Sequence, residues 1–528
     1  MNNPFSSRWF GLALCVVPAA VLAACAASDG GDDAAPVEDP TIESVAEASD
    51  AVDPPESAGE SADADGDQPD GGDGAAPTGD SQGEPSDAGD GPISFASDVA
   101  PIVERTCASC HTGTGPGTQH IVMDTAGMVA AASGAMELVI ESGYMPPWPA
   151  SDDSVAFQHD WSLTDDERAV ILGWHAEGAP LDVESTSAIE PSEGRTVIDD
   201  PDVIVDPIGS YDGELGQPDE YRCFIYDPGV TERSFVRSME FRPDQEMVVH
   251  HAVGSVVDAD ERATVEAVAA AEDDGQGGWT CFGFQPAPSA DIILGWAPGQ
   301  AATRYPEGSG LLMEPGDFFV IQVHYHYEVE APSDRSQLAI EWVPDDQVAS
   351  TTPIDVGVYL APAEIPCRAD ESGPLCDRTT ARDAAVAKYG PGGVLADLLV
   401  ATCGYSVADF AGMTDGVADA ECIQPVSSRG TILSVFGHQH EIGKSFRMTL
   451  NPGRADERVL LDIPRWDFDW QLLYEPEEQI ELRPGDEIKI ECAWDRSLRD
   501  PTLEPAYVLW ADGTDDEMCF ATVTTVPA

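Results

Sequence analysis

From about residue 197 to the end, apolar and polar residues alternate in short runs. Examples are Val203-Ile-Val, Phe319-Val-Ile-Gln-Val-His-Tyr-His, Gln337-Leu-Ala-Ile-Glu-Trp, Ile480-Glu-Leu and Ile488-Lys-Ile-Glu-Cys. A period of two sends every second side chain to one face of an extended strand, and Pro and Gly punctuate the runs. The pattern predicts antiparallel β structure. About 330 residues exceed what one sandwich needs, so two are expected, at 197–355 and 356–528. Thr379-Thr-Ala-Arg-Asp-Ala-Ala-Val-Ala-Lys388 interrupts the alternation with a helical stretch, read as part of an insertion near 367–422.

The first 91 residues do not fit that pattern. Arg8 precedes an apolar stretch, Trp9 to Ala24, that ends in Leu22-Ala-Ala-Cys25. A short apolar segment closed by small residues is a secretory signal, at 1–25. A Cys at the cleavage point resembles the bacterial lipoprotein lipobox, which implies lipidation of Cys25; a plain signal with an incidental Cys is the alternative. Ala26, not Asp, follows, so nothing suggests retention at the inner membrane. The expectation is a protein lipid-anchored in the bacterial cell envelope, at the outer membrane and either periplasmic or surface-exposed, where disulfides persist. No later run approaches the ~20 apolar residues of a membrane span. Residues 26–91 hold 20 acidic residues and no Lys or Arg. Such a segment buries too little apolar surface to offset its ordering entropy, and predicts an extended tether. Over all 528 residues, 97 acidic against 25 basic side chains give a net charge of −72. That excludes a nucleic-acid partner and electrostatic docking on anionic lipid.

Cys107-Ala-Ser-Cys110-His111 is a c-type haem attachment motif. Two thiols about one turn apart add to the haem vinyls, and the adjacent imidazole ligates the iron. A local disulfide or half a zinc site would use the same cysteines, but a zinc site needs a second Cys/His pair, and none stands nearby. Met145, in Tyr-Met-Pro-Pro-Trp, is the choice for sixth ligand, with Met123, Met128, Met136, His120 and His159 as rivals. Thr164 and Glu167 form a capping box that opens a closing helix, and Gly178 and Pro180 stop it. Residues 92–182 resemble a small, all-α cytochrome c, followed by a linker at 183–196. His175 is read as a surface or core histidine.

Six of the ten histidines stand in three tight groups within the β region: His250-His251, His324 with His326, and His438 with His440. In a strand, positions i and i+2 share a face, so His438 and His440 can chelate one ion. Adjacent His250 and His251 point to opposite faces of a regular strand, so joint binding requires a bulge. Imidazoles suit copper or zinc, and a thioether shifts the preference to copper.

Taken in order, these residues resemble the copper type II, ascorbate-dependent monooxygenases, the family of the peptidylglycine α-hydroxylating and dopamine β-monooxygenases. The match runs from about 197 to 528. It includes Tyr221-Arg-Cys, Gly278-Trp-Thr-Cys281, Leu294-Gly-Trp-Ala-Pro, His438-Gln-His-Glu-Ile-Gly-Lys444 and Asp516-Glu-Met-Cys519. The resemblance implies two jelly-roll-like sandwiches, each holding one copper across a solvent-filled cleft. His250, His251 and His324 would hold the electron-transfer copper; His438, His440 and Met518 would hold the catalytic one. His326 falls where the family has no His and is a candidate supporting or substitute ligand. The implied reaction hydroxylates an aliphatic C–H bond with O2. The implied disulfides are Cys223–Cys281 and Cys492–Cys519; the pairing of Cys367, Cys376, Cys403 and Cys422 stays open.

The departures from the family bear on substrate. Peptide-hydroxylating members grip a carboxylate with an Arg two residues before His-x-His and with an Asn and a Tyr after Asp-Glu-Met-Cys. Here those positions are Phe436, Phe520 and Thr522. A buried carboxylate would lose its charge-assisted partners, at about 2–5 kcal/mol, so an apolar or aromatic small molecule is expected. The cofactors expected are two copper ions and one covalent haem c. The partners expected are O2 and a reductant, ascorbate-like or a redox protein, with the haem feeding the electron-transfer copper. A non-catalytic electron-transfer or copper-binding lipoprotein is the alternative.

Overall fold

A computed structural model of the protein describes residues 92–528, apart from 114, 192–196, 216–218, 273, 282–286, 288–290, 299, 301, 328–330, 390–393, 469 and 512. The leader at 1–25 with Cys25, and the acidic segment at 26–91, lie outside the described residues. The architecture is mostly β sheet with few helices, and it divides into two sandwiches behind a short helical region. No helix among the described residues is long and apolar enough to cross a membrane.

The helical region has its own core. Helices α1 (Ala100–Thr106) and α2 (Ala108–His111) carry the Cys107/Cys110/His111 motif; α3 (Ala126–Ser142) and α4 (Asp165–Ala176) pack over it. Thr164 and Glu167 form the reciprocal cap of α4, and Gly143, at φ 71°, ends α3 in the left-handed conformation that glycine tolerates best. Phe95, Val103, Val129, Met136, Ile171 and Trp174 meet at the centre. His175 crosses from α4 to α3, with Nδ1 3.0 Å from Ser133 Oγ and Nε2 3.3 Å from Glu137. The chain after 182 stays on the helices as far as Ile189, whose N–H donates to Asp124 O.

The first sandwich pairs a six-stranded sheet, built around Ser234–Arg242 and Gln337–Trp342, with a five-stranded one. The five-stranded order is Trp279–Thr280, Asp219–Tyr226, Phe318–His326, Val249–Val257, Asp291–Trp296. Strand Phe318–His326 is central. Phe319, Ile321, Val323 and Tyr325 face the sandwich core with Met239, Phe241 and Ile340. Phe318 and Val320, on the opposite face, are covered by a helix not expected from sequence, Arg262–Ala271, and by the Cys223–Cys281 disulfide. Two covered faces explain why nearly the whole strand is buried.

The second sandwich has two four-stranded sheets. One runs Asp355–Leu360, Phe520–Pro527, Gly430–His438, Glu481–Leu482; the other runs Val417–Pro425, Glu487–Asp495, Gly443–Leu450, Arg458–Ile463. Alternation is plainest in Glu487–Asp495, where every second residue is buried. The 367–422 stretch forms helices Arg378–Tyr389, Leu395–Thr402 and Val407–Phe410. Its pairings are Cys367–Cys376 and Cys403–Cys422, and the other described disulfide is Cys492–Cys519.

The helical region docks on the second sandwich through residues 148–161. Ser151, Val155 and Gln158 donate backbone N–H groups to Asp462, Val459 and Glu475, and Glu477 returns one to Ala156. Phe157 is buried in the second sandwich's core.

Candidate functional site

Strand Val249–Val257 slips in register against Phe318–His326. His251 pairs with His324, Val249 pairs with Tyr325, and His250 is the extra residue. This bulge turns both adjacent imidazoles the same way. The Nδ1 atom of His250 lies 3.2 Å from that of His251 and 3.2 Å from that of His324, and the last two are 3.4 Å apart. The point equidistant from three such atoms is about 1.9 Å from each, close to a metal–imidazole bond of roughly 2.0–2.1 Å. These three side chains could hold a metal ion. Burial, and then the neighbouring imidazoles, hold His251 well below the usual histidine range, so its lone pair is free at neutral pH. Tyr221 stacks on His324 with ring centroids 4.3 Å apart. His326 lies farther along the strand, its ring 6.1 Å from that of His250.

The second group is built differently. His438 ends strand Gly430–His438, and His440 follows in the turn, with ring centroids 5.1 Å apart. His438 Nδ1 faces Gln471 Oε1, and His440 Nδ1 lies 3.2 Å from Asp516 O. Both partners are oxygens that can only accept, so each Nδ1 carries the proton and each Nε2 keeps its lone pair. Burial pushes His438 down to about 4 and His440 down to about 3. Glu517, fully buried, ties the parts together: its carboxyl oxygens accept from the N–H groups of His440 (2.9 Å), Ile442 (3.0 Å) and Met518 (3.1 Å) and from the Trp494 indole (3.0 Å). Burial pushes this carboxyl up to about 8, against the pull of its donors.

His251, His438, His440 and Met518 line one cavity of about 360 Å³ between the sandwiches, with Phe436, Phe520, Leu294 and Leu473 among its apolar walls. The gap between the two histidine groups is partly filled. The Phe468 ring lies 5.8–6.1 Å from those of His250, His251 and His324 and 6.3 Å from that of His440. Tyr221 Oη and Thr514 Oγ1, 2.7 Å apart, join the two sides. Gln471, Glu517 and Phe468 were not singled out from sequence. Glu517 had a signal in its place beside Met518; Gln471 and Phe468 sit in an irregular loop with none.

In the helical region, Cys107 and Cys110 keep their thiols, whereas all eight later cysteines form disulfides. His111 Nδ1 lies 2.9 Å from Ile121 O, which again leaves Nε2 as the coordinating atom. The loop crosses close over this ring: a Cβ at Gly117 would meet it at 2.6 Å. Met145 is half-buried in the loop after α3; Met123 and Met136 are buried in the helical core, and Met128, His120 and His159 are exposed.

No family model matches the sequence, and no curated protein matches it. Solved structures that overlap it include an allantoicase, at 10% identity over 63% of this chain and 84% of that one, with a TM-score of 0.14. The PBCV-1 VP54 protein gives 7% identity, 63% and 95% coverage and a TM-score of 0.21. The 11S allergen of Cocos nucifera gives 9%, 64% and 90%, and 0.13. At these scores the overlaps carry no argument about this chain.

Proposed function

We propose that the protein is a copper-dependent monooxygenase that hydroxylates an aliphatic C–H bond of an apolar or aromatic small molecule with O2. On this reading the region of 92–182 is a cytochrome c-like domain. One observation carries the proposal: a mostly apolar cavity is lined by His251, a member of the three-imidazole group, and across from it by an imidazole pair and a thioether, His438, His440 and Met518. Bound copper would supply one-electron chemistry and O2 activation. His250, His251 and His324 would hold one ion through Nδ1. His438 and His440 would hold the other through Nε2, with Met518 favouring Cu(I). Gln471 and the Asp516 carbonyl fix the tautomers, and Glu517 holds the His440 and Met518 backbones in one frame. Phe436 and Phe520 shape an apolar bed. Arg304 also lines the cavity but is paired with Glu341 at 2.9 Å, which supports a substrate without a carboxylate. Cys107, Cys110 and His111 would hold a covalent haem c that supplies electrons.

The deciding experiment is metal analysis with EPR on protein matured with copper and haem, followed by oxygen uptake with aromatic and aliphatic candidates. Two coppers of distinct EPR signature and O2 consumption matched by hydroxylated product are expected. Copper and haem without O2 turnover would favour a non-catalytic electron-transfer or copper-binding lipoprotein instead.

A further inference from the structure

The helical region packs against the sandwich that carries His438, His440 and Met518. Trp148, three residues beyond Met145, lies edge-on to Tyr474 with ring centroids 5.2 Å apart, and Trp161 and Phe157 close the cluster. The Trp161 indole donates to Pro147 O at 3.1 Å and braces this loop. From the other side, Arg465 donates to Ser142 O (2.8 Å) and Gly143 O (3.2 Å), where α3 ends. The loop at 464–474 then reaches the second histidine group three times. The Trp466 indole donates to His440 O at 3.2 Å, Gln471 Oε1 accepts from His438 Nδ1, and Phe468 lies edge-on to the His440 ring at 6.3 Å. Tyr474 also exchanges two backbone hydrogen bonds with Val435, three residues before His438.

We propose that Trp148, Tyr474 and Gln471 form an electron-entry seam that delivers a reducing equivalent from the Cys107/Cys110/His111 region directly to the His438/His440/Met518 group. The inference rests on the copper and haem reading above and goes beyond it, because sequence alone pointed that electron at the His250/His251/His324 group. The path starts at Arg105, two residues before Cys107, whose guanidinium donates to Asp160 O (3.2 Å) and Ser162 O (3.1 Å) on either side of Trp161; it continues through the ring contacts of Trp161 with Trp148 and of Trp148 with Tyr474, three peptide bonds to Gln471, and one hydrogen bond to His438. The transfer moves one electron and no proton: Fe(II) becomes Fe(III) and Cu(II) becomes Cu(I). Tyr474 is a conduit and is not itself oxidised, because its buried hydroxyl has no hydrogen-bond partner among the described residues to take the proton.

The test uses the full chain loaded with haem and copper. A flash-reduced flavin gives one electron to the haem, and reoxidation is followed in the Soret band. The expected result is a first-order phase independent of protein concentration. Trp148→Leu and Tyr474→Leu should slow it at least tenfold with the haem spectrum and potential unchanged. Tyr474→Phe, which keeps the ring, should leave it within twofold. The double variant His251→Ala, His324→Ala, with the second copper still seen by EPR, should also stay within twofold. Loss of the phase in that double variant, or parental rates in both leucine variants, overturns the proposal while leaving the copper reading intact. Protein that takes up no haem or no copper sinks both, and is recognised before the flash.

Discussion

The two histidine groups use the same side chain in opposite ways. At 250, 251 and 324 a bulge in one strand turns two Nδ1 atoms onto a point shared with that of His324 on the neighbouring strand. At 438 and 440 each Nδ1 is taken by an oxygen acceptor, so the outer nitrogen of each ring is left over. The first group is shaped by backbone irregularity inside a sheet. The second is shaped by side chains and a carbonyl brought from a loop at 464–474 and a turn at 513–517. The contrast teaches that ring-nitrogen choice follows from what holds the ring from behind, and that a site propped by distant residues can be altered without touching a ligand.

The largest effect should come from deleting a ligand. On the proposed copper reading, His251→Ala and His440→Ala should each remove one copper of two, and EPR should show the other signal unchanged; loss of both from either variant would erase the distinction. Acid should act next. His438 and His440 sit at about 4 and about 3 in the fold, against roughly 6.5 unfolded. Their neutral forms favour the fold, so the contribution is complete above the unfolded value and is lost as pH falls through 4 and then 3. For His438 this is on the order of 3 kcal/mol, read by denaturant unfolding of metal-free protein between pH 7 and 4. Glu517→Gln replaces an acceptor of four donors with a group that accepts through one oxygen, and should cost about 1–3 kcal/mol in the same assay; an unchanged midpoint would remove Glu517 from the frame. The most discriminating change is the mildest. Gln471→Leu should weaken copper at the second group about 10–100-fold by competition titration and leave the first group alone.

Much of this was legible in the sequence where one strand's periodicity carried the information. Alternation marked the region as β structure, and the adjacency of His250 and His251 implied the bulge. The Thr164/Glu167 cap and the helical break near 380 were equally local. The props were not legible. Gln471 lies 33 positions from His438, and Glu517 lies 77 from His440. Nothing periodic marks either, because each is fixed by how two sheets and a loop meet. The helix at Arg262–Ala271 also escaped: it covers the outer face of a central strand, and its alanine-rich run reads weakly beside the β pattern around it. The docking of 148–161 on the second sandwich, past the first, has no signature in either partner.

That docking has a consequence for biosynthesis. Ser151 and Asp462, which meet in the finished fold, are 311 positions apart. At roughly 5–20 residues per second of elongation, translation of the landing surface lags that of the helical part by about a quarter of a minute to a minute. Phe157 and Trp148 stay uncovered for that interval, so this stretch is the part of the helical region left longest without its packing partner.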